Sequence, residues 1–255
     1  MIRLKIMRIK LYYTSFFVLL IVSSFSCDDP NTTKPEIKTL NPIIEIDLSN
    51  ILSEPSGIVY NSTNNSFYIV SDTTSKIFEI NLNGNLIKEI LVTANDLEGI
   101  TLSSNNDTIY VVEESDNLIT SFLLNGNKIN SFIKDVSTNS ANGLEGIAFD
   151  NLRNLFVTNE KLPKYLIKLK NQVELGSYEI NAVEDLSDIC YDTALDCFWL
   201  ISDESKKIIK LSKTGVVLSE WLIPFNKGEG ITLVQDKMYI VRDSDSKMYV
   251  FNKPS

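Results

Sequence analysis

A short phrase recurs along this chain at nearly constant spacing, and it limits the possible folds more than any other feature of the sequence. Its clearest copy is Leu97-Glu98-Gly99-Ile100. The other copies are Pro55-Ser56-Gly57-Ile58, Leu144-Glu145-Gly146-Ile147, Leu186-Ser187-Asp188-Ile189 and Gly228-Glu229-Gly230-Ile231. The isoleucines are 42, 47, 42 and 42 residues apart, which is the period of a four-stranded propeller blade. The spacing therefore predicts an all-β propeller.

Each repeat contains four short apolar runs separated by turn residues, such as Asn125-Gly126 in the second repeat. The fifth repeat stops one run short, after residues 248–251. An apolar run at residues 43–48 precedes the first repeat and predicts the missing outer strand, which would close the ring. We therefore expect one domain, residues 42–255, with five blades of four antiparallel strands. A degenerate sixth blade is the alternative that counting leaves open.

Residues 1–26 have the pattern of a secretory signal. Four basic residues occur within the first ten, an apolar run follows at residues 11–22, and small residues precede Cys27. A cysteine at this place resembles the lipidated first residue of mature bacterial lipoproteins. We therefore expect an exported protein that is anchored to a bacterial membrane through Cys27, with residues 27–41 as a flexible tether. A plain secreted protein and a signal anchor are the alternatives.

Charge and residue types exclude several classes of function. Without residues 1–26 the acids outnumber the bases 33 to 20, and the bases form no cluster, so nucleic acid is not expected as a partner. The chain contains no histidine, which excludes a nucleophile–histidine pair and an imidazole-bound zinc or copper ion. Any chemistry must use carboxylates, amides, hydroxyls or lysine. We expect the domain to be a monomer.

Acidic residues recur beside the repeat glycine, where the first strand of each blade would line a central channel. The acids at this position are Glu98, Glu145 and Glu229, with Ser56 and Ser187 in the other two blades. Carboxylates that crowd a channel mouth raise one another's pKa or require a counter-charge. Ca²⁺, a hard cation with oxygen ligands, suits a site that lacks histidine and thiolate. The pattern therefore predicts Glu98, Glu145 and Glu229 as metal ligands, with water or a lysine as the alternatives to the ion.

A second set of acids lies 12 to 14 residues after each repeat isoleucine, at the end of the second strand. In an antiparallel blade this point lies at the same end as the start of the first strand, so both sets belong to one face of the disc. We predict a ligand-binding surface made by Asp72, Glu113, Glu114, Glu160, Asp203 and Asp243, with Glu204 beside it. The alternative is structural, because such acids also accept hydrogen bonds from loop amides and form turns.

Two cysteines flank the first turn of the fourth repeat. Cys190 and Cys197 fall on adjacent antiparallel strands, and in an exported protein this placement favours a hairpin disulfide. Two buried free thiols are the alternative. Without further ligands nearby, the pair is a poor signal for a metal site.

The repeated Leu-Glu-Gly-Ile phrases resemble the SdiA-regulated family of exported bacterial propellers. The strand endings Val-Val-Glu-Glu (111–114) and Ile-Ser-Asp-Glu (201–204) and the leader add to this resemblance, which covers roughly residues 42–251. More distantly, the repeat is similar to NHL propellers and to the gluconolactonase group. The latter resemblance implies a divalent cation at the channel mouth, with Glu98, Glu145 and Glu229 as its candidate ligands.

Three functions are compatible with these patterns. The first is a lipid-anchored propeller that binds a small ligand or a protein at its acidic face, with Ca²⁺ as a structural or bridging ion. The second is a metal-dependent hydrolase of lactones or phosphoesters, with a free carboxylate such as Glu114 as the base. The third is a purely structural interaction module, whose partner would stay bound after chelation.

Overall fold

The computed structural model describes residues 36–134 and 143–254, and nearly all regular structure in this range is β-strand. The first strand is β1 (Ile44–Asp47). Blade one contains β2 (Pro55–Asn61), β3 (Ser66–Ser71), β4 (Lys76–Asn81) and β5 (Leu86–Leu91); blade two contains β6 (Leu97–Leu102), β7 (Thr108–Glu113), β8 (Leu118–Leu123) and β9 (Lys128–Ile133). Blade three contains β10 (Leu144–Phe149), β11 (Leu155–Asn159), β12 (Tyr165–Lys170) and β13 (Val173–Glu179). Blade four contains β14 (Asp188–Asp192), β15 (Cys197–Ser202), β16 (Lys207–Leu211) and β17 (Val217–Leu222); β18 (Gly228–Val234), β19 (Lys237–Arg242) and β20 (Lys247–Asn252) follow, with a short 3-10 turn at Asp243–Asp245.

The strands form five separate four-stranded antiparallel sheets, and the fifth is completed by the first strand of the domain. In that sheet β1 pairs with β20, with Ile44 opposite Val250 and Asp47 opposite Lys247. The inner strands β2, β6, β10, β14 and β18 contact one another in that order, and β18 contacts β2. The five-bladed propeller and its closure by the 43–48 segment are therefore confirmed, and the six-bladed alternative is wrong.

The core lies between the blades rather than inside any one of them. All six residues of β3 and all six of β15 are buried, because each of these strands packs against a neighbouring blade on both faces. Aromatic side chains pack in the gaps between blades; Phe156 of blade three and Phe198 of blade four, both on second strands, have ring centroids 4.5 Å apart. This packing explains why the sequence shows continuous apolar runs instead of strict alternation.

Close contact at the ring's centre depends on the repeat glycines. A Cβ atom on Gly99 would lie 2.2 Å from the carbonyl oxygen of Glu145, and one on Gly57 would lie 2.2 Å from that of Glu98. The ladder register shifts at this point in blades one, two, three and five, as β-bulges require. In blade four Asp188 replaces the glycine and the ladder between β14 and β15 is continuous.

The N-terminal part of the domain begins earlier than the sequence predicts. Lys38 and Leu40 exchange backbone hydrogen bonds with Leu222, so Thr39 forms a parallel bridge to the outer edge of blade four. The last residues of the expected tether (27–41) are thus attached to the disc. The expected leader (1–26) and Cys27 lie outside the described residues. In residues 36–134 and 143–254, none of the helical structure has the length and apolarity to span a membrane.

Cys190 and Cys197 are free thiols in the structure, and not the disulfide that the sequence favours. The strand register gives the reason. Cys190 stands opposite Trp199, whereas Cys197 stands opposite Asp192, so the two cysteines are diagonal neighbours. Diagonal partners in an antiparallel pair have Cα atoms about 7–8 Å apart, beyond the distance of about 4.4–6.8 Å that a disulfide normally spans.

Candidate functional site

The starts of the inner strands and the ends of the second strands meet at one face of the disc and surround a cavity of about 220 Å³. Its lining is almost entirely polar. The acidic residues around it are Glu54, Asp72, Glu98, Glu145, Glu160, Asp185, Asp203, Glu204, Glu229 and Asp243, and the basic residues are Lys161 and Lys227. We call this region the acidic cavity. Its carboxylates come from all five blades, as the repeat predicts.

Two groups of three carboxylates lie on the side of the acidic cavity formed by blades two and three. The first group is Asp96, Glu98 and Glu114, and the second is Glu114, Glu145 and Glu160. Within each group, one oxygen from each residue lies within 4.8 Å of the others. Glu114 belongs to both groups, so together they form a continuous cluster of five carboxylates, which we call the blade two–three cluster.

Hydrogen bonds orient two members of this cluster. The Oε1 atom of Glu114 accepts a bond of 3.0 Å from the backbone N–H of Gly143 in blade three. The Oδ2 atom of Asp96 accepts a bond of 2.9 Å from the backbone N–H of Ser115, and it also accepts from the Ser115 hydroxyl. Fixed ligand side chains of this kind are typical of preorganised metal sites, in which outer partners hold the donors in place.

Two lysines pair with carboxylates of the acidic cavity, and one of these carboxylates, Glu160, belongs to the blade two–three cluster. Lys161 Nζ lies 2.6 Å from Glu160 and 3.0 Å from Glu204. Lys227 Nζ lies 3.4 Å from Asp203 and 3.6 Å from Glu229. Burial alone would lower the pKa of each lysine, but these carboxylates outweigh it and raise both pKa values. Among the described residues, no lysine or arginine forms an ion pair with Asp96, Glu98, Glu114 or Glu145. The same holds for Glu54, Asp72 and Asp243 around the acidic cavity.

Burial and the repulsion between neighbouring carboxylates raise the pKa values of three members of the cluster. Burial, followed by repulsion from Asp72 and Glu114, raises the pKa of Glu98 to about 9. Burial and repulsion from Glu98 and Glu114 also raise the pKa of Glu145 well above its ordinary value. Burial raises the pKa of Glu114, although the N–H of Gly143 opposes the shift. These groups ionise together only if a cation balances their charge.

The donor set of the cluster is purely carboxylate oxygen. Such a set suits a hard divalent cation, and three irregularly placed carboxylates with open positions beside them match the flexible six to eight oxygen ligands of Ca²⁺ better than the strict octahedron of Mg²⁺. The residues present therefore fit the ion that the sequence suggests, and it would be held either by Asp96, Glu98 and Glu114 or by Glu114, Glu145 and Glu160.

The structure separates the residues that the sequence proposes as one metal site. Glu98 and Glu145 belong to the blade two–three cluster, whereas Glu229 lines the acidic cavity but pairs with Lys227 and joins neither group. Burial and repulsion from Asp203 raise the pKa of Glu229 to about 7, and Lys227 limits the shift. Of the acids proposed as ligand-binding, Asp72, Glu160, Asp203 and Asp243 line the acidic cavity, and Glu114 joins the cluster.

Glu113 has a structural role instead of the expected ligand-binding one. Its side chain is buried, and it does not line the acidic cavity. Its Oε2 atom accepts a bond of 3.1 Å from the backbone N–H of Asn95, and its Oε1 atom accepts from the Thr120 hydroxyl. Both carboxylate oxygens are therefore used to join strands and loops within blade two.

Sequence reasoning missed Asp96, which belongs to a third recurring position. This position lies three residues before the repeat glycine or its replacement, and it is occupied by Glu54, Asp96, Gly143, Asp185 and Lys227. Glu54, Asp96 and Lys227 have φ angles of 48°, 52° and 61°, in the left-handed region. Aligning the five repeats over a longer window would have revealed this position, which supplies both the extra acid and one of the lysines.

Asp188 places a carboxylate at the centre of the ring. It is 1 % exposed, and its Oδ2 atom accepts a bond of 2.9 Å from the backbone N–H of Ile231 in blade five. No described residue forms a hydrogen bond with Oδ1. Burial raises the pKa of Asp188 well above its ordinary value, although the N–H groups of Ile231, Ile189 and Ile147 oppose the shift. The side chain thus lies near amides of three successive blades, at the repeat position that glycine occupies in the other four blades.

Comparison with known proteins gives one family and several similar folds. A family model described as SdiA-regulated matches residues 38–182 and 169–254. A search of curated protein sequences finds no match. A gluconolactonase from Xanthomonas campestris, XC5397, is 10% identical over 82% of this chain and 89% of that chain, with a TM-score of 0.56.

Two further solved structures have similar folds. Virginiamycin B lyase from Staphylococcus aureus is 19% identical over 81% of this chain and 69% of that chain, with a TM-score of 0.51. A chain of the nidogen/laminin complex is 16% identical over 74% of this chain and 72% of that chain, with a TM-score of 0.56. At these identities the likeness shows the shared propeller fold alone.

Proposed function

The chain belongs to the SdiA-regulated family, and from that premise and the acidic cavity we propose an exported, lipid-anchored monomer that binds its partner molecule through Ca²⁺. The observation that carries the Ca²⁺ site is the blade two–three cluster, in which two three-carboxylate groups share Glu114. The pattern of residues 1–27 supports export and attachment to a bacterial membrane through Cys27.

The partner would bind at the acidic cavity, where the cluster meets solvent. A Ca²⁺ ion accepts six to eight oxygen ligands, and it bridges two molecules when some of these come from a partner. Oxygen-rich groups, such as carboxylates or carbonyls of a small ligand or a protein, are therefore the chemistry that the site would recognise. Asp72 and Asp243 border the acidic cavity beside the cluster and would contact polar groups of the same partner.

Calorimetric titration with Ca²⁺ at pH 7.5 tests the ion site. We expect one ion to bind to the protein, and Glu114→Gln to weaken this binding about a hundredfold or more, because it removes a charge shared by both groups. The matched control is Glu229→Gln, the same chemical change in the same acidic cavity at a residue paired with Lys227. This control should change the Kd by less than about threefold.

Two results would count against the proposed site. Unchanged Ca²⁺ binding in Glu114→Gln would show that the blade two–three cluster does not hold the ion. Equal losses in Glu229→Gln and Glu114→Gln would instead support the set of Glu98, Glu145 and Glu229 that the repeat suggests. The double variant Glu98→Gln with Glu145→Gln should lose binding in either case.

Metal-dependent hydrolysis of a lactone or phosphoester is a second candidate, and one observation favours it. The pKa of Glu229 is raised to about 7, first by burial, and a pKa close to the working pH is best for a general base. A bound divalent ion would supply a polarised substrate oxygen or an activated water. Glu114, the base suggested by the sequence, lies within the cluster, so in this second candidate Glu229 would accept the proton instead.

A panel of lactones and phosphoesters, assayed with Ca²⁺ and with a chelator, tests this second candidate. If it is correct, turnover disappears with the chelator, and Glu229→Gln lowers kcat about a hundredfold while Ca²⁺ binding persists. If no lactone or phosphoester of the panel is turned over, the hydrolase function is excluded and the binding function remains.

A further inference from the structure

A cleft of about 560 Å³ opens between blades two and three, and the acidic cavity does not include it. Blade two contributes Tyr110 and Phe132 to its walls, and blade three contributes Phe149 and Arg153. The strand-connecting turns around it, such as residues 103–107, lie at the face of the disc opposite to the acidic cavity. Its volume falls within the range of about 300–1,000 Å³ typical of small-molecule sites.

At three of the other four junctions between blades, a turn packs against the neighbouring blade in the corresponding place. In blades one, two and four, the turn between the third and fourth strands carries Gly84, Gly126 or Gly215 and packs against the outer strand of the preceding blade. A Cβ atom would lie 2.3 Å from Ile46 Cγ2 at Gly84, 2.3 Å from the Leu91 oxygen at Gly126, and 2.8 Å from Tyr178 Cβ at Gly215. These turns therefore touch the neighbouring blade closely, and only glycine permits such contact.

Blade three departs from this arrangement in length and in sequence. The other three turns span residues 82–85, 124–127 and 212–216, whereas blade three connects β12 to β13 with only Asn171 and Gln172. Both residues have positive φ angles, 49° and 68°, as in a two-residue type I′ hairpin. The shorter turn contains no glycine and does not fill the gap against β9, so the cleft remains between them.

The chemistry of the walls is mixed apolar and basic. Tyr110 and Phe149 form an edge-to-face pair with centroids 5.0 Å apart, and both are partly exposed, as is Phe132. No described residue forms an ion pair or a hydrogen bond with the Arg153 guanidinium. Asp107, the one acid among the described residues that line the cleft, accepts hydrogen bonds from the hydroxyls of Ser103 and Thr108 and from the Asn105 amide.

We propose that this cleft binds a small organic anion whose ring-bearing body packs against Tyr110, Phe132 and Phe149 while its acidic group pairs with Arg153. Charge complementarity selects this class of ligand. The chain is strongly acidic, yet this cleft presents a guanidinium that no described residue pairs with. It also presents Lys170, whose Nζ atom has, within residues 36–134 and 143–254, the Leu152 carbonyl oxygen at 3.5 Å as its one hydrogen-bond partner. Arginine is well suited to bidentate pairing with a carboxylate, sulfonate or phosphate.

Calorimetric titration of the protein with naphthalene-1-sulfonate tests the proposal, and neutral naphthalene-1-sulfonamide is the matched probe. We expect a single site for the sulfonate with a Kd of about 1 mM or tighter, and binding at least about tenfold weaker for the sulfonamide. Arg153→Gln should weaken sulfonate binding by a similar factor. Lys206→Gln, which removes one exposed positive charge outside the cleft, should leave the Kd within about twofold.

A turn graft provides a second test. Replacing Asn171-Gln172 with the blade two sequence Leu-Asn-Gly-Asn (124–127) should let the turn reach β9, close the cleft and remove sulfonate binding. Circular dichroism melting shows whether the graft is folded. If it is not, the effect of Arg153→Gln on sulfonate binding is the test of the proposal. The proposal is overturned if the sulfonate does not bind, if Arg153→Gln binds it as the native chain does, or if the sulfonamide binds equally well.

Discussion

Replacing Gly99 by alanine is expected to lower the free energy of unfolding by about 3–5 kcal/mol, the range of the most severe single substitutions. The new Cβ would lie 2.2 Å from the Glu145 carbonyl oxygen and 3.1 Å from the Gly146 Cα, both backbone atoms of the neighbouring blade. Neither atom can move without shifting an inner strand of the closed ring. For a chain of this size the melting temperature should fall on the order of 10 °C, measured by circular dichroism or calorimetry.

Gly176→Ala is the matched control, because it makes the same chemical change in another strand. Its Cβ would meet the Tyr178 hydroxyl oxygen at 3.1 Å, which is the far end of a side chain that can turn aside. We expect a change of less than about 1 kcal/mol. Equal melting temperatures for the two alanine variants would show that the centre of the ring tolerates a side chain, contrary to the packing described above.

The calcium-free protein is expected to lose stability as the pH rises from about 5 to 9, and its melting temperature should fall on the order of 10 °C over this range. Folding raises the pKa of Glu98 from 4.5 to about 9 and that of Glu229 from 4.5 to about 7, with burial as the largest cause. The folded state therefore binds more protons than the unfolded state. This stabilisation is fully present below the unfolded pKa of 4.5 and is lost as the pH passes the folded values.

Saturating Ca²⁺ should reverse the loss at pH 9 and have a smaller effect at pH 5, because the ion binds the deprotonated carboxylates and competes with protons. Glu98→Gln, which stays neutral, should flatten the pH dependence of the melting temperature. Glu204→Gln, at an exposed acid of the same face, should leave the slope unchanged. A slope that persists in Glu98→Gln would mean that Glu98 does not contribute to the pH dependence.

The fold could be predicted from the sequence because each blade repeats the same pattern of apolar runs and turn residues. The repeat isoleucine marks the same position in each of the five blades, and the incomplete fifth blade is the partner that the sequence offers for the apolar run at 43–48. The attachment of residues 38–40 to Leu222 was not predictable, because it uses backbone hydrogen bonds that any polar segment can form.

The face that carries the site was predictable, but the members of the cation cluster were only partly so. Glu113 and Glu114 are adjacent in the chain, and successive strand residues point to opposite sides, so one of the two had to face the blade interior. The sequence does not say which one. Glu229 occupies the same repeat position as Glu98 and Glu145, but Lys227 pairs with it, and a single lysine outside the repeated phrase is easily overlooked.

The disulfide prediction was wrong for a different reason, which is that the sequence does not give the strand register. Whether Cys190 and Cys197 stand opposite each other depends on the number of residues in the hairpin turn and on the strand register. A sequence shows that two cysteines occupy neighbouring strands, but a shift of two residues along the ladder separates directly opposed partners from diagonal ones.

The pairing of β1 with β20 also determines how the disc would respond to mechanical load. A force applied through the chain upstream of Ile37 acts first on the bridge between Thr39 and Leu222, and then on the four residue pairs that join β1 to β20. The inner strands around the axis bear none of this pull until those contacts break. The contacts of the peripheral strand β1 would therefore break first under load. The centre of the disc, with its carboxylates, would keep its arrangement while β1 detaches.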